Sequence, residues 1–239
     1  MDTGIIVDIE TTGLDSENDK IIEIGIVEFQ ISEAFEITMT EIYGAVEDPK
    51  QDLDPQIQEL TGLSNQVLAG KSIDWEKVKG MFQRASVVIA HNMEFDRSFL
   101  IKHPALAEVS VHWACSMKHI DWDKHGFKSR SLNYLAADHG FINPFAHRAV
   151  FDCATTFRLM SKHLKEMVER SYEKEVFIKA VRAPFESKDL LKARRYRWDP
   201  EERVWGKIVA ESQLVEEREF LANEIYSGNG GKHQEVVLT

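Results

Sequence analysis

Two acidic residues stand in an apolar run at the start of the chain, and they limit what that run can become. The run is Ile5-Ile6-Val7-Asp8-Ile9-Glu10, and its β-branched residues favour a buried strand. Residues i and i+2 of a strand share a face, so the carboxylates of Asp8 and Glu10 project side by side. Two such groups repel each other and lose hydration, and both stay ionised only beside a cation. The run therefore predicts a site for Mg²⁺ or Mn²⁺, which favour oxygen ligands.

The composition indicates a soluble globular protein. The chain of 239 residues is 43% hydrophobic, enough for one large domain or for a domain with a small appendage. A net charge of −11 argues against bulk electrostatic attraction to nucleic acid. The two cysteines, Cys115 and Cys153, indicate no disulfide framework, and no apolar run reaches the roughly 20 residues that span a bilayer. Because the first strand begins so early, we expect no signal peptide, a cytoplasmic location and no membrane partner.

The order of the predicted elements indicates a mixed sheet covered by helices. Three strands, at residues 5–9, 21–29 and 35–43, are joined by short connections, which favours antiparallel pairing. The later elements are strands at 86–90 and 109–115 and helices at 55–60, 74–84, 94–102, 131–139 and 148 to about 170. This order predicts an α/β fold whose five-stranded sheet has three antiparallel strands followed by parallel ones.

A small αβ module is predicted at residues 171–228, after a first domain at residues 1–170. Residues 179–207 contain nine basic and five acidic residues, although the whole chain is acidic. Tyr196, Trp198 and Trp205 lie among the arginines, a combination suited to phosphate contact and base stacking. The same aromatic residues would also fill the core of so short a unit. Residues 229–239 are expected to form a flexible tail, with an added edge strand as the alternative.

Three separated segments carry ionisable groups where a predicted element begins or ends. They are Asp8-Ile9-Glu10, His91-Asn92-Met93-Glu94-Phe95-Asp96 and His147-Arg148-Ala149-Val150-Phe151-Asp152. Each alone has an ordinary explanation, such as an edge-strand charge, an acid in the first turn of a helix, or a surface histidine. Strand ends in one sheet gather such residues into a single cleft. Together the segments predict one cleft lined by ionisable side chains.

These segments resemble the motifs of the DnaQ-like 3′–5′ exonucleases of the DEDDh type, a family named after four acids and a histidine. The resemblance covers residues 4–165 and includes ETTGL after Asp8-Ile9, HN..FD..FL around Asp96 and HRA..D in the third segment. The sequence Cys115-Ser116-Met117-Lys118 is most similar to the exodeoxyribonuclease X branch. The resemblance implies an RNase H-like fold, two divalent cations (Mg²⁺ or Mn²⁺) and hydrolysis of phosphodiester bonds at 3′ ends.

The resemblance also implies a role for each matching residue. Asp8 would bridge both cations, and Glu10 and Asp152 would hold one of them. Asp96 would support the other cation through water, and His147 would be the general base. The substrate-binding residues would be Thr11, Thr12, Leu14 and Asn92, with Leu14 wedged against a base.

Three functions remain compatible with these residues. The first is a 3′–5′ exonuclease that releases nucleoside monophosphates from DNA. The second is an exoribonuclease that trims RNA, because nothing in the sequence selects for or against a 2′-hydroxyl. The third is a proofreading or repair subunit that binds a polymerase or repair partner through the C-terminal module.

Cys115, His119 and His125 form a further group of side chains that could bind a metal. Their spacing matches no familiar zinc template. The preferred interpretation is a buried strand cysteine with two solvated histidines.

Overall fold

A computed structural model describes residues 2–227 and 232–238 of the chain. The chain separates into two compact units, Met1–Ser171 and Tyr172–Thr239, called here the first unit and the second unit. Among the described residues, no helix has both the length and the apolar character that a membrane crossing requires.

The first unit is built on a five-stranded sheet. Its strands are β1 (Asp2–Thr11), β2 (Ile21–Ile31), β3 (Ile37–Val46), β4 (Val87–Ala90) and β5 (Trp113–Cys115). The spatial order is β3-β2-β1-β4-β5. The first three strands pair antiparallel, whereas β4 runs parallel to both β1 and β5. The predicted mixed sheet is therefore confirmed, although β5 is shorter than the strand expected at 109–115.

Helices cover both faces of this sheet. They are α1 (Pro55–Thr61), α2 (Asn65–Leu68), α3 (Trp75–Arg84), α4 (Met93–Leu100), α5 (Leu132–Asp138), α6 (Ala149–Met160) and α7 (Leu164–Ser171). The prediction of one helix from 148 to about 170 is wrong, because a turn at residues 161–163 separates α6 from α7. Met160 before the turn and Leu164 after it are both buried in one apolar cluster, so the bend keeps both helices on the same core.

Side chains of β1 alternate between the two cores. Ile5, Val7 and Ile9 pack with residues of α3 and α4 on one face. Ile6 packs on the other face, with residues of α5, α6 and α7. Because residues two apart share a face, Asp8 continues the face of Ile6 and points toward the side that α6 covers.

Among its described residues, the second unit contains a four-stranded antiparallel sheet and two α-helices. The elements are β6 (Glu175–Val181), α8 (Lys188–Ala193), β7 (Arg197–Asp199), β8 (Val204–Ala210), α9 (Leu214–Phe220) and β9 (Lys232–Leu238), with the strand order β7-β8-β6-β9. The expected flexible tail at 229–239 is wrong for 232–238, because these residues pair with β6 along the sheet edge. Residues 229–231 and 239 lie outside the described residues.

The aromatic residues of the second unit divide between its core and its surface. Tyr196 is buried and Trp205 packs partly against the same cluster, as expected if they fill the core. Trp198 remains 48% exposed. Several basic side chains are engaged in ion pairs: Lys179 with Glu202, Arg194 with Glu216, and Lys207 with Glu217.

Candidate active site

Two glycines allow α6 to approach the sheet closely. Asp8 in β1 lies opposite Gly25 in β2, and Gly25 lies opposite Gly44 in β3. A Cβ atom on Gly25 would lie 2.4 Å from the backbone carbonyl carbon of Ala149, and one on Gly44 would also meet the first turn of α6. Directly opposed residues of antiparallel strands share a face, so α6 begins on the side of the sheet to which Asp8 points. This close approach brings Asp152, in the first turn of α6, to Asp8.

The substitution Gly25→Ala tests this approach. We expect it to destabilise the fold by about 1–3 kcal/mol, because the new methyl group meets backbone that cannot rotate away. We also expect hydrolysis to fall by about 10²-fold as Asp152 is displaced. Urea unfolding and initial rates measure the two effects.

A matched control is Gly80→Ala in the middle of α3. The nearest atom to a Cβ there is Arg84 Nη1 at 3.7 Å, so the methyl group has room. Alanine should stabilise this helix by about 0.5–1 kcal/mol and leave the rate unchanged. Equal effects of the two substitutions would contradict the role assigned to Gly25.

Three carboxylates converge where β1 ends and α6 begins. One oxygen from each of Asp8, Glu10 and Asp152 lies within 4.8 Å of the others. Asp8 and Glu10 are half-buried, and Asp152 is buried. The structure thus brings together two residues from the first motif and one from the third, which lie more than 140 positions apart in the chain.

Asp96 is held beside this cluster by the backbone of β1. Its Oδ1 accepts a hydrogen bond from the backbone N–H of Ile9 at 3.1 Å. That N–H is free to donate because β4 pairs with β1 only as far as Ile6. Asp96 is buried in the first turn of α4, and it acts electrostatically on both Asp8 and Glu10. All four predicted acids therefore belong to one electrostatic cluster.

Burial raises the pKa of each of these carboxyl groups, and repulsion from neighbouring acids adds to the increase for Asp8, Glu10 and Asp96. Burial and repulsion from Asp152 are the leading causes that raise the pKa of Glu10 to about 8. Burial raises the pKa of Asp96 to about 7 and that of Asp152 to about 6. The pKa of Asp8 is also well above its usual value, first because of burial and then because of Asp96 and Asp152. Without a counterion, the cluster therefore retains protons near neutral pH.

The donor set fits divalent cations. All the side-chain donors are carboxylate oxygens, the ligands that Mg²⁺ and Mn²⁺ prefer. The raised pKa values show that the folded chain supplies too little positive charge to keep the cluster ionised. Arg148 is the cation that lowers the pKa of Glu10, but burial and the other acids outweigh it. The site thus has carboxylate ligands, close spacing and an excess of negative charge, all of which suit divalent cations.

In chelator, we expect the free energy of unfolding to fall as the pH rises from about 6.5 to 8. In this range the folded protein binds more protons than the unfolded chain, because the pKa of Glu10 and that of Asp96 are raised to about 8 and 7. Histidines with lowered pKa values, such as His91 at about 4, act in the opposite sense, but only below the ordinary value of 6.5.

Urea unfolding at several pH values, with and without Mg²⁺, measures this dependence. Bound Mg²⁺ should stabilise the protein more at pH 8 than at pH 6.5, since protons no longer compete for the carboxylates. Glu10→Gln should flatten the metal-free curve. A metal-free stability that rises over the same range would contradict the charge distribution described here.

His147, five positions before Asp152, has an unusual backbone conformation. It is exposed and has φ = 63°, in the left-handed region that residues other than glycine seldom adopt. Its positive charge, when present, lowers the pKa of Asp152. Asp152 is oriented by two further donors: Asn143 Nδ2 at 2.9 Å and the backbone N–H of Arg148 at 3.1 Å.

Glu23 and Arg148 form an ion pair that sequence reasoning missed. Glu23 is buried opposite Glu10 in the β1–β2 register. Arg148 donates to it through Nε at 3.2 Å and Nη2 at 3.0 Å, and the backbone N–H of Ala149 donates at 3.2 Å. The pair fastens the start of α6 to β2. The available signal was a single acid in the apolar segment Ile21–Val27, whose partner lies 125 positions away.

The predicted substrate-binding residues lie at the ends of β1 and β4. Thr12 closes the turn after β1, because its hydroxyl donates to Asp19 at 2.9 Å and accepts from the backbone N–H of Lys20 at 3.0 Å. Leu14 projects from this turn and is 86% exposed, an arrangement suited to apolar contact with a ligand. Thr11 is buried and donates to the Gly13 carbonyl, so its hydroxyl is already engaged.

Asn92 lies outside the carboxylate cluster. It is the exposed N-cap residue of α4, and its side chain makes no capping hydrogen bond. An aromatic pair near His147 was not predicted: Phe145 and Phe151 are both exposed, and their ring centroids are 4.7 Å apart.

Comparison with known proteins identifies relatives of the first unit. The family model described as an exonuclease (RNase_T) matches residues 5–160. A DNA polymerase III PolC-type protein of Clostridium perfringens is 32% identical over 180 residues, which are 70% of this chain and 12% of that protein. A 3′-5′ exonuclease DinG of Staphylococcus saprophyticus is 31% identical over 160 residues, 65% of this chain and 17% of that protein. The chain thus spans less than a fifth of these relatives.

Solved structures share the fold. Exonuclease X, in complex with 5′ overhanging duplex DNA, is 20% identical with a TM-score of 0.51, covering 70% of this chain and 99% of that one. Exonuclease I of E. coli, in complex with a dT13 oligonucleotide, is 13% identical with a TM-score of 0.62, covering 99% of this chain and 64% of that one. The expected DnaQ-like, RNase H-like fold is confirmed.

Proposed function

This chain belongs to the exonuclease family, and from that premise we propose that it is a metal-dependent 3′–5′ exonuclease that releases nucleoside monophosphates from DNA. The observation that carries the proposal is the convergence of Asp8, Glu10 and Asp152 within 4.8 Å, with buried Asp96 beside them. DNA is the favoured substrate because the PolC-type relative is named as a DNA polymerase.

The carboxylates would hold two Mg²⁺ or Mn²⁺ ions. Asp8, Glu10 and Asp152 would be the ligands, and Asp96 would support one of the ions. When bound, the ions would lower the pKa of an attacking water and offset charge on the leaving 3′ oxygen. The contribution of the chain itself is to hold the ligands in place. Asn143 and the backbone N–H of Arg148 orient Asp152.

His147 would act as the general base. An imidazole can accept a proton from a water at a ring nitrogen. Its exposure to solvent and its electrostatic influence on Asp152 support this role. The left-handed backbone at this residue is a strained conformation of the kind found at functional sites.

Residues around the cluster would bind the 3′-terminal nucleotide. Leu14, presented on a turn closed by Thr12, would wedge against a base. Thr11 would contact the terminal nucleotide, and Asn92 would support the end of the strand. A polymerase or repair protein is the partner to test for the second unit, since the PolC-type relative is a DNA polymerase. Both cysteines are free and buried, which supports a cytoplasmic location.

A product time course tests the proposal. The substrates are 3′-labelled and 5′-labelled single-stranded and duplex DNA and RNA, each with Mg²⁺, Mn²⁺ or chelator. We expect mononucleotides to appear first from the 3′ label on DNA, and only with metal. Faster cleavage of RNA than of DNA would identify RNA as the substrate. Release from the 5′ end, or activity in chelator, would reject the mechanism. Copurification with a polymerase would distinguish a proofreading subunit from a free-standing nuclease.

A further inference from the structure

A second group of metal-ligating side chains lies in the first unit, apart from the acidic cluster. One ligand atom from each of His125, His163 and Glu166 lies within 4.8 Å of the others. His125 belongs to the loop between β5 and α5, His163 to the turn between α6 and α7, and Glu166 to the first turn of α7. His163 and Glu166 are three positions apart at the start of a helix and so face the same side.

The His163 imidazole is positioned by packing rather than by hydrogen bonds. Its ring centroid lies 5.1 Å from that of Trp122 and 4.4 Å from that of His125. Within the described part of the chain, this imidazole makes ring contacts but no hydrogen bond. Its ring nitrogens are therefore available to bind a metal.

The carboxylate of Glu166 is oriented by a second set of contacts. Its Oε1 accepts from the backbone N–H of Asp121 at 2.8 Å and from Arg170 at 3.4 Å. Its Oε2 lies 2.7 Å from His125 Nε2. Hydrogen bonds from Asp121 and Arg170 therefore fix Oε1, whereas Oε2 faces the histidines. Carboxylates that bind metals are often oriented in this way by outer hydrogen bonds.

We propose that His125, His163 and Glu166 bind a zinc ion, with water in the fourth position. Two imidazoles and one carboxylate are a known three-residue donor set for Zn²⁺, and the nitrogen ligands distinguish this site from the all-oxygen cluster. Bonds of 2.0–2.2 Å place the ligand atoms of a tetrahedral zinc about 3.3 Å apart. The ligand atoms of this group lie within 4.8 Å of one another, which is close to this value.

The ligand set differs from the one that the sequence suggested. The backbone N–H of Cys115 donates to His119 Nδ1 at 3.0 Å, which engages that imidazole in the turn after β5. Only His125 is common to the two sets. The zinc would join the loop around Trp122 to α7, and its binding free energy would add to the stability of that contact.

Zinc binding by the full chain tests the proposal. The background is Asp8→Asn, which weakens the acidic cluster as a competing site, and millimolar Mg²⁺ occupies what remains of it. Protein stripped with chelator is dialysed against ZnCl₂, and bound zinc per chain is measured by elemental analysis. Thermal unfolding with and without zinc provides a second readout. We expect about one zinc per chain and a higher melting temperature.

Variants locate the bound ion. His125→Ala removes a ligand that is exposed, so the fold should persist, and Glu166→Gln keeps the shape of its side chain. Each should weaken zinc binding by about 100-fold or more, since even outer-shell changes cost 10–100-fold. His233→Ala, which removes a histidine of the second unit, is the matched control and should bind zinc as before. Absence of zinc in the Asp8→Asn background, or full binding by both ligand variants, would overturn the proposal.

Discussion

Asp8→Asn should abolish hydrolysis and, in chelator at pH 8, should make the protein more stable. The rate should fall by more than about 10³-fold, because Asp8 is the proposed ligand of both cations and their loss removes several kcal/mol of transition-state stabilisation. The free energy of unfolding should rise by about 1 kcal/mol or more, since the substitution removes an acid whose pKa is raised by desolvation and by its neighbours. Single-turnover rates and urea unfolding measure the two effects.

The matched control for this substitution is Asp2→Asn. Asp2 is exposed at the beginning of the same strand, far from the carboxylate cluster along β1. It should leave the rate unchanged, and it should change the free energy of unfolding of the metal-free protein by no more than about 0.5 kcal/mol. Retention of a metal-dependent rate by Asp8→Asn would reject the catalytic assignment. A loss of stability in chelator would instead show that repulsion among the carboxylates does not destabilise the metal-free protein.

His147→Ala and His147→Gly should lower the rate equally but differ in stability. Both remove the proposed proton acceptor, which is worth about 10²–10⁴-fold. At φ = 63° glycine is unstrained whereas alanine is not, so the glycine variant should be the more stable of the two by about 1 kcal/mol. Rates at saturating Mg²⁺ and urea unfolding of both variants measure the difference.

The pH–rate profile separates a catalytic from a structural role for His147. With His147 as the general base and with Mg²⁺ saturating at every pH, kcat/KM of the unchanged protein should have a limb that rises with pH, and both variants should lose that limb. His233→Ala controls for the removal of a histidine elsewhere and should retain it. A rising limb that survives both His147 substitutions would remove this residue from the mechanism.

Local chemistry made much of the acidic site predictable. The two-residue period of a strand placed Asp8 beside Glu10, and burial of that strand made the pair costly without a cation. Asp96 and Asp152 were recognisable as acids in the first turns of helices. These inferences depend on near neighbours in the chain, whose geometry the strand and helix repeats define.

Long-range packing was not predictable in the same way. The roles of Gly25 and Gly44 depend on the alignment of β2 with β3 and on the packing of α6 against both strands. The same limit explains the single helix expected from 148 to about 170. The turn at 161–163 follows from how Met160 and Leu164 share one core, which no local period encodes.

The sequence by itself determined most elements of the first unit, their order, the mixed sheet and the acids that carry the proposed chemistry, because each depends on periodicity or on motifs a few residues long. Only the tertiary structure decided that Arg148 would form an ion pair with Glu23. It also brought His125, His163 and Glu166 within 4.8 Å. Both arrangements join residues that are far apart in the chain, and contacts of that kind arise from the fit of helices against a sheet.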